Sequence, residues 1–239
     1  MKRVLLLAGI FALASSFALA AGYDKTETTK AYTIRLRVPD AALSNPALKA
    51  EIITRWKKDS GEIKSEATED LKDQVPDFHP YMLDTQWRVT FENADVISLS
   101  ANSFIDQNGA HPNGSFDSIV WDKKANRVVP FEDLFVPTMR KTAFNAIAAS
   151  ARKSWIAIMT KREGDAPIPG MVDDGIGADA KKLGHYALIY DKGASQPNGI
   201  VLLYGSGEVW PNAAGDFRLV VPTFVFRAYL TPEWKARFS

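Results

Sequence analysis

Between Tyr81 and Phe91 the chain alternates. Tyr81, Leu83, Thr85, Trp87, Val89 and Phe91 occupy the odd positions, and Met82, Asp84, Gln86, Arg88 and Thr90 fall between them. A period of two over eleven residues belongs to a strand with one face on a core and one toward water, and it commits the chain to a sheet. A second strand is read at Tyr32 to Val38, where Ile34, Leu36 and Val38 alternate with Thr33, Arg35 and Arg37 until Pro39 stops the run. Glu92 to Ala94 reads as a turn and Asp95 to Ile105 as the return strand of a hairpin. Ser115 to Asp122 with Arg127 to Pro130 reads as a second hairpin, and Tyr186 to Tyr190 with Ile200 to Tyr204 as a third. Phe217 to Val221 supplies one more strand.

Two segments change period. After Asn45 and Pro46, an N-cap followed by a first helical position, Leu48, Ile52, Trp56, Ile63, Ala67 and Leu71 recur at helical spacing, predicting a long helix to about Lys72. Its opposite face carries Lys49, Glu51, Lys57, Lys58, Glu62, Lys64, Glu66 and Glu69, read as a solvated surface of ion pairs. Pro137 to Lys161 predicts a second helix, with Phe144, Ala148, Ala151, Trp155 and Ile158 on its apolar face. A short terminal helix is expected from Pro222 and Thr223 to Leu230. Strands in neighbouring antiparallel pairs with two main helices packed on them give an α+β fold with an antiparallel sheet.

Lys2 and Arg3, the apolar stretch Val4 to Ala14 and the small-residue end Ala18-Leu19-Ala20 form the pattern of a signal peptide, residues 1–20. The stretch is marginal for the ~20 residues of a membrane anchor. The protein is therefore expected to be exported, in the periplasm or secreted. It contains no cysteine, so its fold must hold without disulfides although such compartments permit them. Lys+Arg 29 against Asp+Glu 28 leaves no global field to draw it onto nucleic acid.

Catalytic motifs are sparse. His79, His111 and His185 show no metal-binding spacing, and no metal or cofactor is expected. Asp173, Asp174 and Asp179 lack the alternation of a calcium loop. Ser206 in YGSGE lacks the nucleophile-elbow spacing, and no phosphate loop or dinucleotide fingerprint occurs. Two turn-rich loops remain. In one, Asn108, Gly109, His111 and Asn113 surround a positive-φ turn and a proline. In the other, Glu208 and Trp210 precede Pro211. Loops on a rigid scaffold are where binding residues gather, so these six are the candidate binding residues, with none assigned as catalytic.

Residues 103–122, SFIDQNGAHPNGSFDSIVWD, resemble the GGAH-centred strand, loop and strand of the exported PdaC-type domain with its companion domain of unknown function. That pair is found in a peptidoglycan deacetylase and in the lysozyme-sensing anti-sigma factor RsiV. Residues 198–222, NGIVLLYGSGEVWPNAAGDFRLVVP, are similar to the companion domain's Tyr-Glu-(Ile/Val)-x-Pro-Tyr-Ala-x-Gly loop and following strand. Asn108 stands where the first glycine of GGAH does, and Gly207 and Asn212 replace the two tyrosines; Glu208, Pro211, Ala213 and Gly215 match. The resemblance implies a PdaC-like N-terminal domain over 21–114 and a companion domain over 115–239 that shares its sheet or packs against it. It also implies a non-catalytic binding or sensor protein of the cell envelope that recognises a lysozyme-like hydrolase or a peptidoglycan fragment. The competing expectation is an envelope glycan or peptide hydrolase using His111 with Glu208 or Asp106, which requires those groups to meet at hydrogen-bond distance.

Overall fold

A computed structural model describes residues 22–163, 172, 175–211 and 215–239. The expected leader, and Asp173, Asp174 and Asn212 to Ala214, lie outside the described residues.

The first strand, β1 (Tyr23–Thr28), pairs antiparallel with β2 (Tyr32–Val38). A short helix α1 (Asp40–Leu43) leads into the long α2 (Pro46–Lys72). Asn45 caps α2, its side-chain oxygen accepting from the N–H groups of Ala47 and Leu48, and Pro46 takes the first-turn position that needs no donor. Leu48, Ile52, Trp56, Ile63 and Ala67 are buried as their spacing requires; Leu71, in the last turn, is exposed.

Because α2 carries the chain back across the sheet, β3 (Tyr81–Glu92) pairs parallel with β2. This is the one departure from the expected antiparallel sheet: β3, β4 (Val96–Asp106), β5 (Asn113–Asp122) and β6 (Arg127–Val128) follow as antiparallel neighbours, making a mixed six-stranded sheet in sequence order. A hairpin connection reverses the chain, whereas a helical crossover restores its direction. The α+β class stands.

The alternation from Tyr81 to Phe91 does not mark one face. Register shifts between Val89, opposite Leu99, and Phe91, opposite Ser98, leaving Thr90 as an extra residue. A bulge of one residue moves every later side chain to the other face. Tyr81, Leu83 and Trp87 accordingly pack with α2 in one core, while Phe91 joins a second core on the opposite side.

The second core belongs to a three-stranded antiparallel sheet, β7 (Tyr186–Ile189), β8 (Gly199–Tyr204) and β9 (Phe217–Pro222), covered by α3 (Arg140–Glu163). α4 (Thr223–Phe226) and α5 (Pro232–Arg237) close it. Phe131, Phe135, Phe144, Phe226 and Phe238 form a chain of edge-on and stacked rings there. The other face of this sheet, through Ala187, Val201 and Leu203, packs on Phe116 of β5. The layers therefore succeed one another as α2, first sheet, second sheet and α3, and the second sheet covers only part of the first. Among the described residues no helix is long and apolar enough to cross a membrane.

Candidate functional site

One side of α2 overhangs the ends of β4 and β5 and encloses a groove of about 590 Å³. Arg55, Asp59, Glu62 and Glu66 are spaced four, three and four apart, so a single stripe of the helix forms this wall. Leu83, Ser103, Ile105 and Asp117 form the floor, and His185, just before β7, closes the far side. Gln107 and Ser115 also line it, so the loop from Asn108 to Gly114 stands on its rim.

Arg55 fastens the helix to the floor. Its Nε–H donates to Glu51 (2.8 Å), and its second nitrogen donates to Asp117 Oδ1 (2.7 Å) and to the Ser118 carbonyl (3.0 Å). At the rim, Gln107 Nε2 donates to Glu66 (2.5 Å). Asp59 and Glu62 have no hydrogen-bonding or ion-pair partner among the described residues. Desolvation, followed by the carboxylates of Asp117 and Glu62, raises the Asp59 carboxyl above the usual aspartate range, partly offset by the cations Lys58 and Arg55. A carboxylate shifted up in this way gains from a neighbouring cation.

The rim loop is built from its first residue. Asn108 takes φ +61°, the left-handed conformation that asparagine tolerates and glycine adopts freely. This accounts for asparagine standing where the GGAH pattern has glycine. Asn108 Oδ1 accepts from the His79 N–H (3.2 Å), and its own N–H donates to Asp106 (3.3 Å). Gly109, His111 and Asn113 are exposed. The His111 ring makes no hydrogen bond or ion pair among the described residues.

Glu208 and Trp210 have different surroundings. Glu208 is exposed, but its Oε2 accepts from the Gly205 N–H (2.8 Å), folding the side chain back across its own turn. Trp210 is half-buried, with its ring 5.2 Å from that of Trp155. Gly207, in place of the pattern's tyrosine, has φ +86°, a conformation a tyrosine would strain to adopt. The turn is clamped to the other loop: the Ser206 N–H donates to the Gly114 carbonyl (3.1 Å), and a Cβ on Gly205 would lie 2.6 Å from that same oxygen. Ser206 Oγ donates to Asp216 (3.0 Å) beside Gly114.

Neither carboxylate considered for a hydrolase meets His111. Glu208 holds Gly205, and Asp106 faces His79 Nε2 at 3.8 Å. Among the described residues no three His, Asp or Glu side chains converge to hold a metal ion.

No protein-family profile matches this sequence, and no curated protein matches it. Solved structures do match. A protein of the DUF3298 family from Pseudomonas aeruginosa superposes with a TM-score of 0.56 at 12% identity, covering 90% of this chain and 94% of that one. The chain has the DUF3298 fold. A second DUF3298 member, from Bacteroides fragilis, gives 0.54 at 14% identity, covering 88% and 92%.

Proposed function

We propose that this chain is an exported, non-catalytic binding protein of the cell envelope, and that its groove receives a basic protein, of the kind a lysozyme-like hydrolase presents. One observation carries the reading. A groove of about 590 Å³ is lined by the carboxylates of Asp59, Glu62, Glu66 and Asp117 against the cations Arg55 and Lys58, an acidic excess beneath a loop whose imidazole is exposed. Carboxylates set side by side on a rigid, exposed helix face sum to a preorganised negative field that draws lysine and arginine side chains. The resemblance of the NGAH and EVWP loops to the lysozyme-sensing RsiV pattern points to the same class of partner.

A peptidoglycan fragment is a poorer fit to this groove. Sugar rings pack on open aromatic faces, and the one phenyl ring among the groove's lining residues, Phe116, is buried against the second sheet. Hydrolysis is also less well supported, because Glu208 and Asp106 are engaged by Gly205 and His79.

Titration calorimetry of the purified protein with lysozyme tests the proposal. Binding is expected, weakening as salt rises and weakening with His111→Ala and with the double change Asp59→Asn, Glu62→Gln. It is also expected to weaken as pH falls through the raised pKa of Asp59, because protonation removes the charge the partner reads. Trp210→Ala serves as the contrast: its ring packs on Trp155, so thermal stability falls while affinity holds. No heat with lysozyme, or unaltered affinity in the groove variants, overturns the assignment.

A further inference from the structure

The second sheet leaves part of the first sheet's outer face bare, and that bare face is chemically ordered. Register places Arg37 of β2 opposite Gln86 of β3, Gln86 opposite Asn102 of β4, and Asn102 opposite Phe116 of β5. Arg218 of β9 then lies over the Phe116 ring, its guanidinium 5.1 Å from the ring centre. A single rung across four strands thus has a guanidinium at each end and two carboxamides between. Flanking it are Asp84 and Phe104 on one side and Arg88 and Ser100 on the other, and together they line a crevice of about 160 Å³.

The charges do not cancel. Arg37 is taken by Asp84, its terminal nitrogen donating to both carboxylate oxygens (2.9 and 2.8 Å). Arg88 donates only to the neutral Gln86 (2.8 Å), and Arg218 only stacks on Phe116, so among the described residues neither forms an ion pair. Two guanidinium groups without an acidic partner thus face a floor of amide and hydroxyl groups and one internally neutralised pair, Arg37 with Asp84. Phe104, near the end of β4, leaves 44% of its surface in water, so its ring lies open beside these polar groups.

We infer that this face is a subsite for a carboxylate-bearing saccharide. The forks of Arg88 and Arg218 match a carboxylate in bidentate geometry, Gln86 and Asn102 supply paired donors and acceptors for hydroxyl or acetamido groups, and Phe104 offers a flat ring for the C–H face of a pyranose. The crevice is smaller than the roughly 300–1,000 Å³ of pockets that enclose a whole ligand. It therefore holds one sugar unit of a chain that continues along the open sheet. The site lies on the opposite side of the first sheet from the α2 groove and does not depend on what that groove binds.

Two sources carry this chemistry, a muramic-acid glycan and a uronic-acid polysaccharide. Chemical-shift mapping of the ¹⁵N-labelled protein with N-acetylmuramic acid and with glucuronic acid distinguishes them. The amides of Gln86, Asn102 and Phe104 are expected to shift with one or both acids, and N-acetylglucosamine, which lacks the carboxylate, is expected to bind about tenfold more weakly. Arg88→Gln, an exposed change touching only Gln86, and Arg218→Gln should each weaken binding about fivefold or more. Arg88→Gln should leave the melting temperature and any lysozyme binding unaltered. Equal shifts with N-acetylglucosamine, shifts produced only by a tri-glutamate peptide, no shifts with either acid, or full affinity in both variants would each overturn the inference.

Discussion

Asp122 shows how one side chain joins the two sheets. It ends β5 in the first sheet, where its Oδ1 accepts from the Ala125 N–H (2.7 Å) and shapes the turn into β6. Its Oδ2 accepts from Arg237 of α5 (2.9 Å) with both side chains almost buried, at 9% and 12% exposure. Burial alone would raise its pKa, but the Ala125 N–H, the Arg237 guanidinium and the Lys124 N–H together outweigh that and hold the carboxyl below the usual aspartate range. A depressed native pKa adds stability that is present above the unfolded value, about 3.9, and is lost as pH falls through the native one. Asp122→Asn removes one of the two carboxylates on Arg237, which keeps Glu233 (2.7 Å), so the expected loss is about 1–2 kcal/mol, below the cost of leaving a buried charge unpaired. Urea denaturation at neutral pH measures the loss. Repeated at falling pH, the wild type should approach the variant, and a constant gap down to strong acid would show that the ion pair is not the cause.

The strands and helices were largely legible because burial imposes periodicity. α2 begins at Pro46 and ends at Lys72 as its cap and apolar spacing require, and the Tyr81 strand, the three hairpins and the helix after Pro137 occur where alternation and turn residues place them. What the sequence concealed has physical reasons. β1, YDKTET, is an edge strand whose residues are mostly solvent-facing, so it carries no apolar alternation. The parallel pairing of β2 with β3 is a matter of topology, which no local pattern encodes. The groove was hidden because the stripe of Asp59, Glu62 and Glu66 has the composition of an ordinary solvated helix face; only the overhang past β5 makes it a wall. The NGAH loop was visible as turn chemistry, and Trp210 stood out as an indole in a loop, but its contact with Trp155 depends on distant packing. The bulge at Thr90 is the least visible feature, since Phe91 continues the alternation faultlessly. Its role is testable. Deleting Thr90 restores regular pairing and turns Phe91 out of the second core, with an expected cost of about 3–5 kcal/mol, the scale of removing a core phenylalanine. Thr90→Ala, which keeps the extra residue and loses only the hydroxyl contact to Ser98 (2.8 Å), should cost about 1 kcal/mol. Equal losses in the two variants would deny the bulge this role.

The four layers have two cores and no disulfide, and what makes them one folding unit is the set of contacts that cross between the sheets. Phe116 packs against Ala187, Val201 and Leu203, the buried Tyr186 hydroxyl donates to the Val129 carbonyl (2.9 Å), the Leu188 N–H donates to Ser98 Oγ (2.9 Å), and Arg237 reaches Asp122. Phe91, Val96 and Val120 of the first sheet also lie in the core of the second. Removing either half would therefore expose apolar surface of the other and leave its polar groups without partners, which favours all-or-none unfolding. The six tryptophans supply the probe, because Trp56 and Trp87 on one side of the first sheet and Trp121 beside them belong to one core, while Trp155, Trp210 and Trp234 belong to the other. Phe116→Ala is expected to lower stability by about 3 kcal/mol or more while fluorescence and circular dichroism continue to report a single coincident transition. If replacing the first-core tryptophans with phenylalanine shifted the fluorescence midpoint away from that seen by circular dichroism, the halves would be unfolding separately. The α2 groove and the clamped loops would then belong to two bodies free to move apart, whereas coincident transitions mean that a ligand held at the groove rim stabilises both cores at once.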